Sequence, residues 1–353
     1  MKNIKDINVA EKRILVRCDF NVPRDRDGNI SDDFRIRETL PTIRYLIENK
    51  AKIILMSHLG EPDGKVVDVL KLDKVQEKLS ELLGLTVKKA EDCIGPKVTE
   101  MIDDLKSGEV LLLENLRFHK EETENDLEFA KELSKLADIY INEAFSVCHR
   151  AHASIAGVPK YLPGFPGFLL EKETNALDRV LGKSPSAGSG QAEKPMLAII
   201  GGKKVETKTK VINKISKIAD FVIISGLIKK EAIEKKIEFD FPEKIVGPLD
   251  SLDALDINEE AIELFRQKIK NARTVLWNGP FGKTEDEAYA KGTLEIAKAI
   301  IESKAYSVVG GGETIEFLTR EGLLSEFSHV CAGGGAMLQY LSGDKLPGLE
   351  ALE

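Results

Sequence analysis

Short continuous apolar runs alternate along the chain with longer stretches whose apolar positions recur every three to four residues. The runs are Arg13–Arg17, Lys52–Met56, Val110–Leu113, Ile139–Ile141, Met196–Ile200, Phe221–Ile224, Thr274–Trp277 and Tyr306–Val309. A strand that is apolar throughout, rather than at alternate positions, is one covered on both faces, which is the habit of parallel sheets. The helical period appears over 69–83, 125–136, 169–181, 259–270 and 288–302. Strand and helix in strict alternation predict an α/β architecture with parallel sheets and crossover connections. Ligands in such folds bind beyond the carboxyl ends of the strands.

Two glycine triplets, Gly310–Gly312 and Gly333–Gly335, each follow a short strand-like run and open an apolar helical pattern. Glycine lets backbone approach a ligand closely, and a helix N-terminus presents unpaired N–H groups with partial positive charge. Each triplet is therefore a candidate anion cradle. Two of them suggest an enzyme that holds two phosphorylated molecules. A Gly/Ser-rich break at 182–191 reads as a linker. It divides the chain into a first domain at 1–168, a helix at 169–182 and a second domain at 183–335.

Length and charge narrow the class. A chain of 353 residues favours two domains. A net charge of −8 disfavours nucleic-acid binding, which needs a basic face, and makes local basic clusters informative. No apolar run has the roughly 20 residues needed to span a bilayer. Met1–Asp6 has no apolar signal core, and the four cysteines, 18, 93, 148 and 331, form no closely spaced pair. Both points suit a reducing, cytoplasmic setting without structural zinc.

Cationic side chains sit where the strands of the first half end. Arg17-Cys18-Asp19-Phe20-Asn21 leaves the first strand, and Arg35 and Arg37 enter the first helix. Ser57-His58-Leu59-Gly60, Glu114-Asn115-Leu116-Arg117 and Asn142 to His152 leave later ones. Arginine grips phosphate and carboxylate as a two-pronged fork, so several converging arginines capture a small, multiply charged anion. The second half opens with Gly201-Gly202-Lys203-Lys204 and, one helical turn beyond Lys204, Lys208. It later carries Trp277-Asn278-Gly279-Pro280-Phe281-Gly282-Lys283-Thr284-Glu285. The first of these turns is suited to phosphate but lacks the spacing of a Walker A sequence.

In order along nearly the whole chain, RCDFNVP (17–23), SHLG (57–60), ENLRF (114–118), INEAF…HRAHAS (141–154), GGKKVETK (201–208), WNGPFGKTE (277–285), GGGET (310–314), GGGAMLQYL (333–341) and LPGLEAL (346–352) resemble the phosphoglycerate kinase family. The resemblance implies two Rossmann-like α/β domains joined by a hinge helix across a cleft, with a tail at 336–353 returning to the first domain. It implies transfer of a phosphoryl group between 1,3-bisphosphoglycerate and MgADP, giving 3-phosphoglycerate and MgATP, in a cytoplasmic monomer with no nucleic-acid or membrane partner. By position it assigns Asp19, Phe20, Asn21, Arg35, His58, Leu59, Gly60, Arg117 and Arg150 to the glycerate ligand. It assigns Gly201, Gly202, Lys204, Lys208, Asn278, Pro280, Glu285, Gly311, Gly312, Glu313 and Thr314 to the nucleotide, with Glu285 on the ribose. Arg35 and Lys204, with Gly311 and Gly334, would serve the transfer itself, and Glu313 would contribute to Mg²⁺.

Several positions depart from the family pattern. Glu61 follows SHLG where an arginine is usual, Glu313 and Glu143 stand for aspartates, and Cys331-Ala332 replace a Ser-Thr pair. An anion at 61 opposes phosphate binding unless it points away or pairs with a neighbour. The stretch between Gly226 and Trp277 is shorter than usual, which predicts weak or less base-selective nucleotide binding. A binding protein on the same scaffold that transfers nothing is the alternative reading. An unrelated acyl-phosphate kinase is disfavoured by the absence of its motifs.

Overall fold

The apolar runs form the cores of two parallel sheets in the computed structural model, which describes residues 3–183, 193–202, 205–249 and 252–352. The first sheet contains β1 (Arg13–Arg17), β2 (Lys52–Met56), β3 (Val87–Lys89), β4 (Val110–Leu112), β5 (Ile139–Asn142) and β6 (Gly164–Pro166), in the order β3-β4-β2-β1-β5-β6. The second contains β7 (Met196–Ile200), β8 (Phe221–Ile224), β9 (Ile245–Val246), β10 (Thr274–Asn278), β11 (Tyr306–Gly310) and β12 (His329–Cys331), in the order β12-β11-β10-β7-β8-β9. The α/β class with parallel sheets flanked by helices is thus the observed one.

Burial explains the runs. In β1, Ile14 and Val16 pack into one apolar layer and Leu15 into the layer on the opposite face, and all three are fully buried. Ile14 pairs with Ile53 on one side and Ile139 on the other, and every position of the strand beyond Arg13 is buried. Strands β3, β6 and β9 were not signalled by the pattern. Each is an edge strand of two or three residues carrying lysine, proline or partly exposed positions, as edges tend to.

Helix ends follow local chemistry. The stretch 69–83 divides into a 3-10 turn, Asp68–Leu70, and a helix, Asp73–Leu83, closed by Gly84 at φ +70°. The stretch 125–136 narrows to Leu127–Ser134, because Asp126 caps it by accepting from the Phe129 N–H at 2.8 Å. Asn258 caps Glu259–Ile269 in the same manner through the Ala261 N–H. No helix among the described residues is long and apolar enough to cross a membrane.

The chain divides into one unit of Met1–Lys172 with Lys345–Glu353 and a second of Glu173–Asp344. The first division falls inside the helix Phe168–Val180. Most of the Gly/Ser-rich break lies outside the described residues. Residues 336–342 belong to a helix of the second unit, Gly334–Ser342, whereas Lys345–Glu353 packs on the first. There the Gly348 N–H donates to the Cys148 carbonyl at 2.9 Å, and a side chain at Gly348 would collide with Cys148 and Ile155.

Glu143 organises the start of the helix Phe168–Val180. Its Oε2 accepts the Leu169 N–H at 2.9 Å and the Leu170 N–H at 3.3 Å, and Thr42 donates its hydroxyl to Oε1 and accepts the Phe168 N–H. Gly167 is obligatory here, since a Cβ would lie 2.1 Å from Glu143 Oε1. Complete burial outweighs these hydrogen bonds and pushes the Glu143 carboxyl up to about 8. The unfolded value is about 4.3. The contribution of this group is therefore fully present below about pH 4.3 and is lost as pH rises through about 8. Thermal unfolding of the wild type and Glu143→Gln checks this. The wild type should lose stability relative to the variant between pH 6 and pH 9, and parallel pH profiles would refute it.

Candidate active site

The strand-end loops of the first unit converge on buried charge. Asp19, one residue past β1 and the buried Cys18, binds Arg35 Nη1 at 2.7 Å and also accepts from the Asn21 N–H and the Ser146 hydroxyl. Burial opposes ionisation of Asp19, but Arg35 and these hydrogen bonds outweigh it and hold the carboxyl far below its ordinary range. His58 faces Asp19 at 3.9 Å and Arg17 at 3.2 Å. Its burial, with the charges of Arg17, Arg117 and Arg35, drives its pKa well down, so the imidazole is neutral near pH 7.

Asn21 and Gly60 link the loops after β1 and β2, Asn21 Oδ1 accepting from the Gly60 N–H at 2.9 Å. The Gly60 carbonyl in turn accepts from Arg117 Nη1 at 2.8 Å. Gly60 adopts φ +65°, and a Cβ would strike Leu70 at 2.7 Å. Arg117 is 2% exposed, yet its Nε and Nη2 have no hydrogen-bond partner. Nearby, the buried Nδ1 atoms of His149 and His152 also lack one. Burial and the neighbouring arginines hold His152 down to about 3 and lower His149, so neither adds charge. Arg150 is half-exposed. Unmatched buried donors are costly, and here they mark a place for an anion. Glu61, the departure from the family pattern, reaches it: Oε1 lies 2.7 Å from Arg117 Nη1 and 3.5 Å from Arg150 Nη1.

Glycine turns build the site of the second unit. Gly201 follows β7 and Gly279 follows β10, and they touch backbone to backbone: a Cβ on Gly201 would lie 2.3 Å from the carbonyl oxygens of Gly279 and Pro280. Gly311, at φ +102°, caps the helix Gly312–Arg320, and a Cβ on Gly334 would lie 2.9 Å from its Cα. The two triplets are thus in contact, with Asn278 alongside both. Thr314 faces inward and accepts the Gly279 N–H at 3.1 Å, while Gly312 and Glu313 are exposed. Lys208 is buried beside Gly202 and donates to the Gly201 carbonyl. Burial pulls its ammonium down to about 8, against Glu313 and Glu231, which hold it up.

These turns line a cavity of about 550 Å³ within the usual range for small-molecule sites. Gly202, Lys208, Asn278, Pro280, Glu285 and Gly311–Thr314 all border it. Lys204 lies outside the described residues. Leu227, Ala254, Leu255 and Phe281 supply an apolar wall, which the sequence did not signal because residues 254 and 255 lie in a loop without periodicity. Another cavity of about 500 Å³, near Ile233 and Leu249, is lined mainly by apolar side chains, with Pro242 and Gly247 among its lining residues.

Two supporting residues escaped sequence reasoning. Asn115 ties the loops together, accepting the Leu59 and Arg117 N–H groups and donating to the Leu59 and Leu70 carbonyls. Its place inside ENLRF was the available signal. Glu122 lies in the polar run Lys120–Glu124 yet is fully buried, 3.8 Å from Arg17, and binds Ser154 through both oxygens. Asp92, Cys93 and His119 approach within 4.8 Å of one another, but the Asp92–His119 pair is closed at 2.6 Å and Cys93 Sγ bonds the Glu114 carbonyl. That cluster satisfies itself.

Comparison with known proteins bears on the family and the fold. The family model described as Phosphoglycerate kinase matches residues 4–238 and 229–344. The chain is 43% identical over 397 aligned positions to the phosphoglycerate kinase of Dictyoglomus turgidum, covering 99% of this chain and 98% of that one. It is 40% identical to that of Moorella thermoacetica, with the same coverage. The crystal structure of phosphoglycerate kinase from Pyrococcus horikoshii superimposes with a TM-score of 0.87 at 33% identity, covering 100% of this chain and 98% of that one. The structure from Coxiella burnetii gives 0.80 at 31%, covering 99% and 98%. The family match comes in two segments that overlap at 229–238, inside the stretch read as shortened.

The interlocked turns make a paired prediction. Gly201→Ala forces backbone against backbone and should lower stability by about 1–3 kcal/mol. Gly312→Ala points into open space and should change it by about 0.5 kcal/mol or less. Thermal unfolding distinguishes them, and equal midpoints would show that the turns do not interlock.

Proposed function

Since this chain belongs to the phosphoglycerate kinase family of ATP-dependent phosphotransferases, we propose that its two units divide the ligands of that reaction between them. The loops after β1, β2, β4 and β5 hold the glycerate ligand. Arg35 is already matched by Asp19, whereas Arg117 retains two buried nitrogens, Nε and Nη2, without a partner. The phosphate of 3-phosphoglycerate therefore goes to Arg117 and Arg150, and the reacting carboxyl end to the side of Arg35, Asp19 and Asn21. The observation that carries this assignment is Arg117, a buried guanidinium whose unmatched N–H groups need an anion.

ATP or ADP fits the cavity of the second unit. Its phosphates meet the helix N-terminus at Gly311–Thr314 and the ammonium of Lys208, its ribose meets Glu285, and its base meets the wall of Leu227 and Leu255. Glu313 suits Mg²⁺, being an exposed carboxylate on the same rim, and Mg²⁺ is commonly held by one or two carboxylates plus phosphate oxygens. When bound, the ion supplies charge neutralisation on the phosphates. The remaining tasks fall to the chain. Phosphoryl transfer has a loose transition state with charge spread over three oxygens, so positioning and electrostatics dominate and no covalent nucleophile is required. The substrate carboxylate attacks in line, which requires reacting atoms about 3–3.5 Å apart. Arg35 and Lys204 stabilise the transferring group. The helix Phe168–Val180, which carries the division between units, serves as the hinge. The reading includes a cytoplasmic, monomeric enzyme, with every assigned residue drawn from one chain. No observation favours the non-catalytic alternative.

A coupled assay with 3-phosphoglycerate and MgATP tests the reading. Turnover should be present, and Arg35→Ala should lower kcat by about 10²–10³-fold, the usual effect of removing one transition-state donor. A folded wild type that binds both ligands without turnover would defeat it.

A further inference from the structure

We propose that Glu61 is a built-in competitor of the substrate: its carboxylate pairs with Arg117 and Arg150 and opposes the arrival of the substrate phosphate. The inference rests on the reading that these arginines receive that phosphate. Three observations carry it. Glu61 Oε1 contacts both guanidinium groups, at 2.7 and 3.5 Å, so its charge lies beside the unmatched Nε and Nη2 of Arg117. The Glu61 side chain is 65% exposed while Arg117 is 2% exposed, so the carboxylate can swing into water and the guanidinium cannot follow. The backbone behind Glu61 is fixed, because Gly60 is tied to Asn21 through its N–H and to Arg117 through its carbonyl. Only the side chain needs to move.

The local charge balance sets the direction. Arg117 and Arg150 face the pocket as cations, and burial holds His149 and His152 neutral. Glu61 cancels one of the two positive charges. A phosphate monoester carries about −1.5 to −2 at pH 7. It meets like charge if Glu61 stays, and if Glu61 leaves, binding is reduced by the fraction of chains in which the pair is already vacated. In either case the native residue weakens capture of the phosphate. Glu61 thus acts as a specificity-determining residue that favours a strongly anionic ligand over weaker anions, since only the former displaces a carboxylate readily.

Isothermal titration of the full chain with 3-phosphoglycerate and with unphosphorylated glycerate tests this. Glu61→Gln should tighten 3-phosphoglycerate about 3–10-fold and leave glycerate unchanged. Unchanged or weaker 3-phosphoglycerate binding would overturn the proposal, showing a spectator or a residue that merely positions Arg117. Equal tightening of both ligands would also overturn it, because the effect would not lie at the phosphate. Arg150→Ala should weaken 3-phosphoglycerate in both backgrounds, and no effect there would remove the premise. Turnover is read separately. Tightening by Glu61→Gln in a chain that transfers nothing would sustain this inference while defeating the reading of function.

Discussion

A guanidinium withdrawn from water has to be matched by negative charge, and the first unit meets that demand in three different ways. Arg17 is matched permanently: it and Glu122 are both fully buried, with Ser154 bonded to each. Arg35 is matched by a carboxylate, Asp19, that its own charge keeps ionised. Arg117 is paired with Glu61, an exposed carboxylate, and two of its nitrogens are left over. Removing one partner of a buried pair costs far more than the pair ever contributes, so the Arg17–Glu122 pair is framework. Arg35 keeps part of its side chain in water beside Asp19, and Glu61, the partner of Arg117, is largely exposed, so these two arginines stay open to a ligand.

The candidate site of the second unit is built of different material. Its contacts are made by main chain, at turns where any side chain would clash. Gly201 lies against Gly279, and Gly334 against Gly311, with the indole N–H of Trp277 donating to the Gly279 carbonyl at 2.8 Å. The only tryptophan of the chain therefore belongs to the core and also fixes a ligand turn. Backbone N–H and C=O groups carry no net charge and cost little to bury when they bond to one another, as the Gly201 and Gly202 N–H groups do with the Asn278 and Pro280 carbonyls. Lys208 is the one buried cation described at this rim, and its lowered pKa records that cost. A tight arginine pocket suits a small ligand of fixed shape, and a backbone cradle suits a polyphosphate.

Strands buried on both faces were legible in the sequence because nothing polar interrupts them, and β1, β2, β7 and β8 begin and end where the apolar runs do. The edge strands β3, β6 and β9 were not, since they are partly exposed and their residues look like loop, whereas the edge strand β12 was marked by the glycine triplet that follows it. Of the site, the residues with distinctive chemistry were legible: arginine and histidine at strand ends, glycine triplets before helices. Glu122 was not, because one glutamate in Lys120–Glu124 is indistinguishable by type from its solvated neighbours, and only the fold turns it inward. Glu61 falls between these cases. Its charge at a phosphate loop was visible as an anomaly, but the partners that resolve it come from loops 56 and 89 positions further along.

The short segment after the second unit ties synthesis to assembly. Asn142, at the end of β5, donates to the Gly348 carbonyl, a contact spanning 206 positions. Leu352 lies against Gly164 of the edge strand β6. A ribosome reaches these residues only after it has made all of Glu173–Asp344. The first unit is thus translated early and completed late, and until then the surface around Cys148 and Ile155 stays uncovered. Contacts of such long range are slow to form because chain entropy must be spent before they are rewarded. During that interval the nascent sheet depends on its local helices alone, which makes the interval the time of greatest exposure to misassociation.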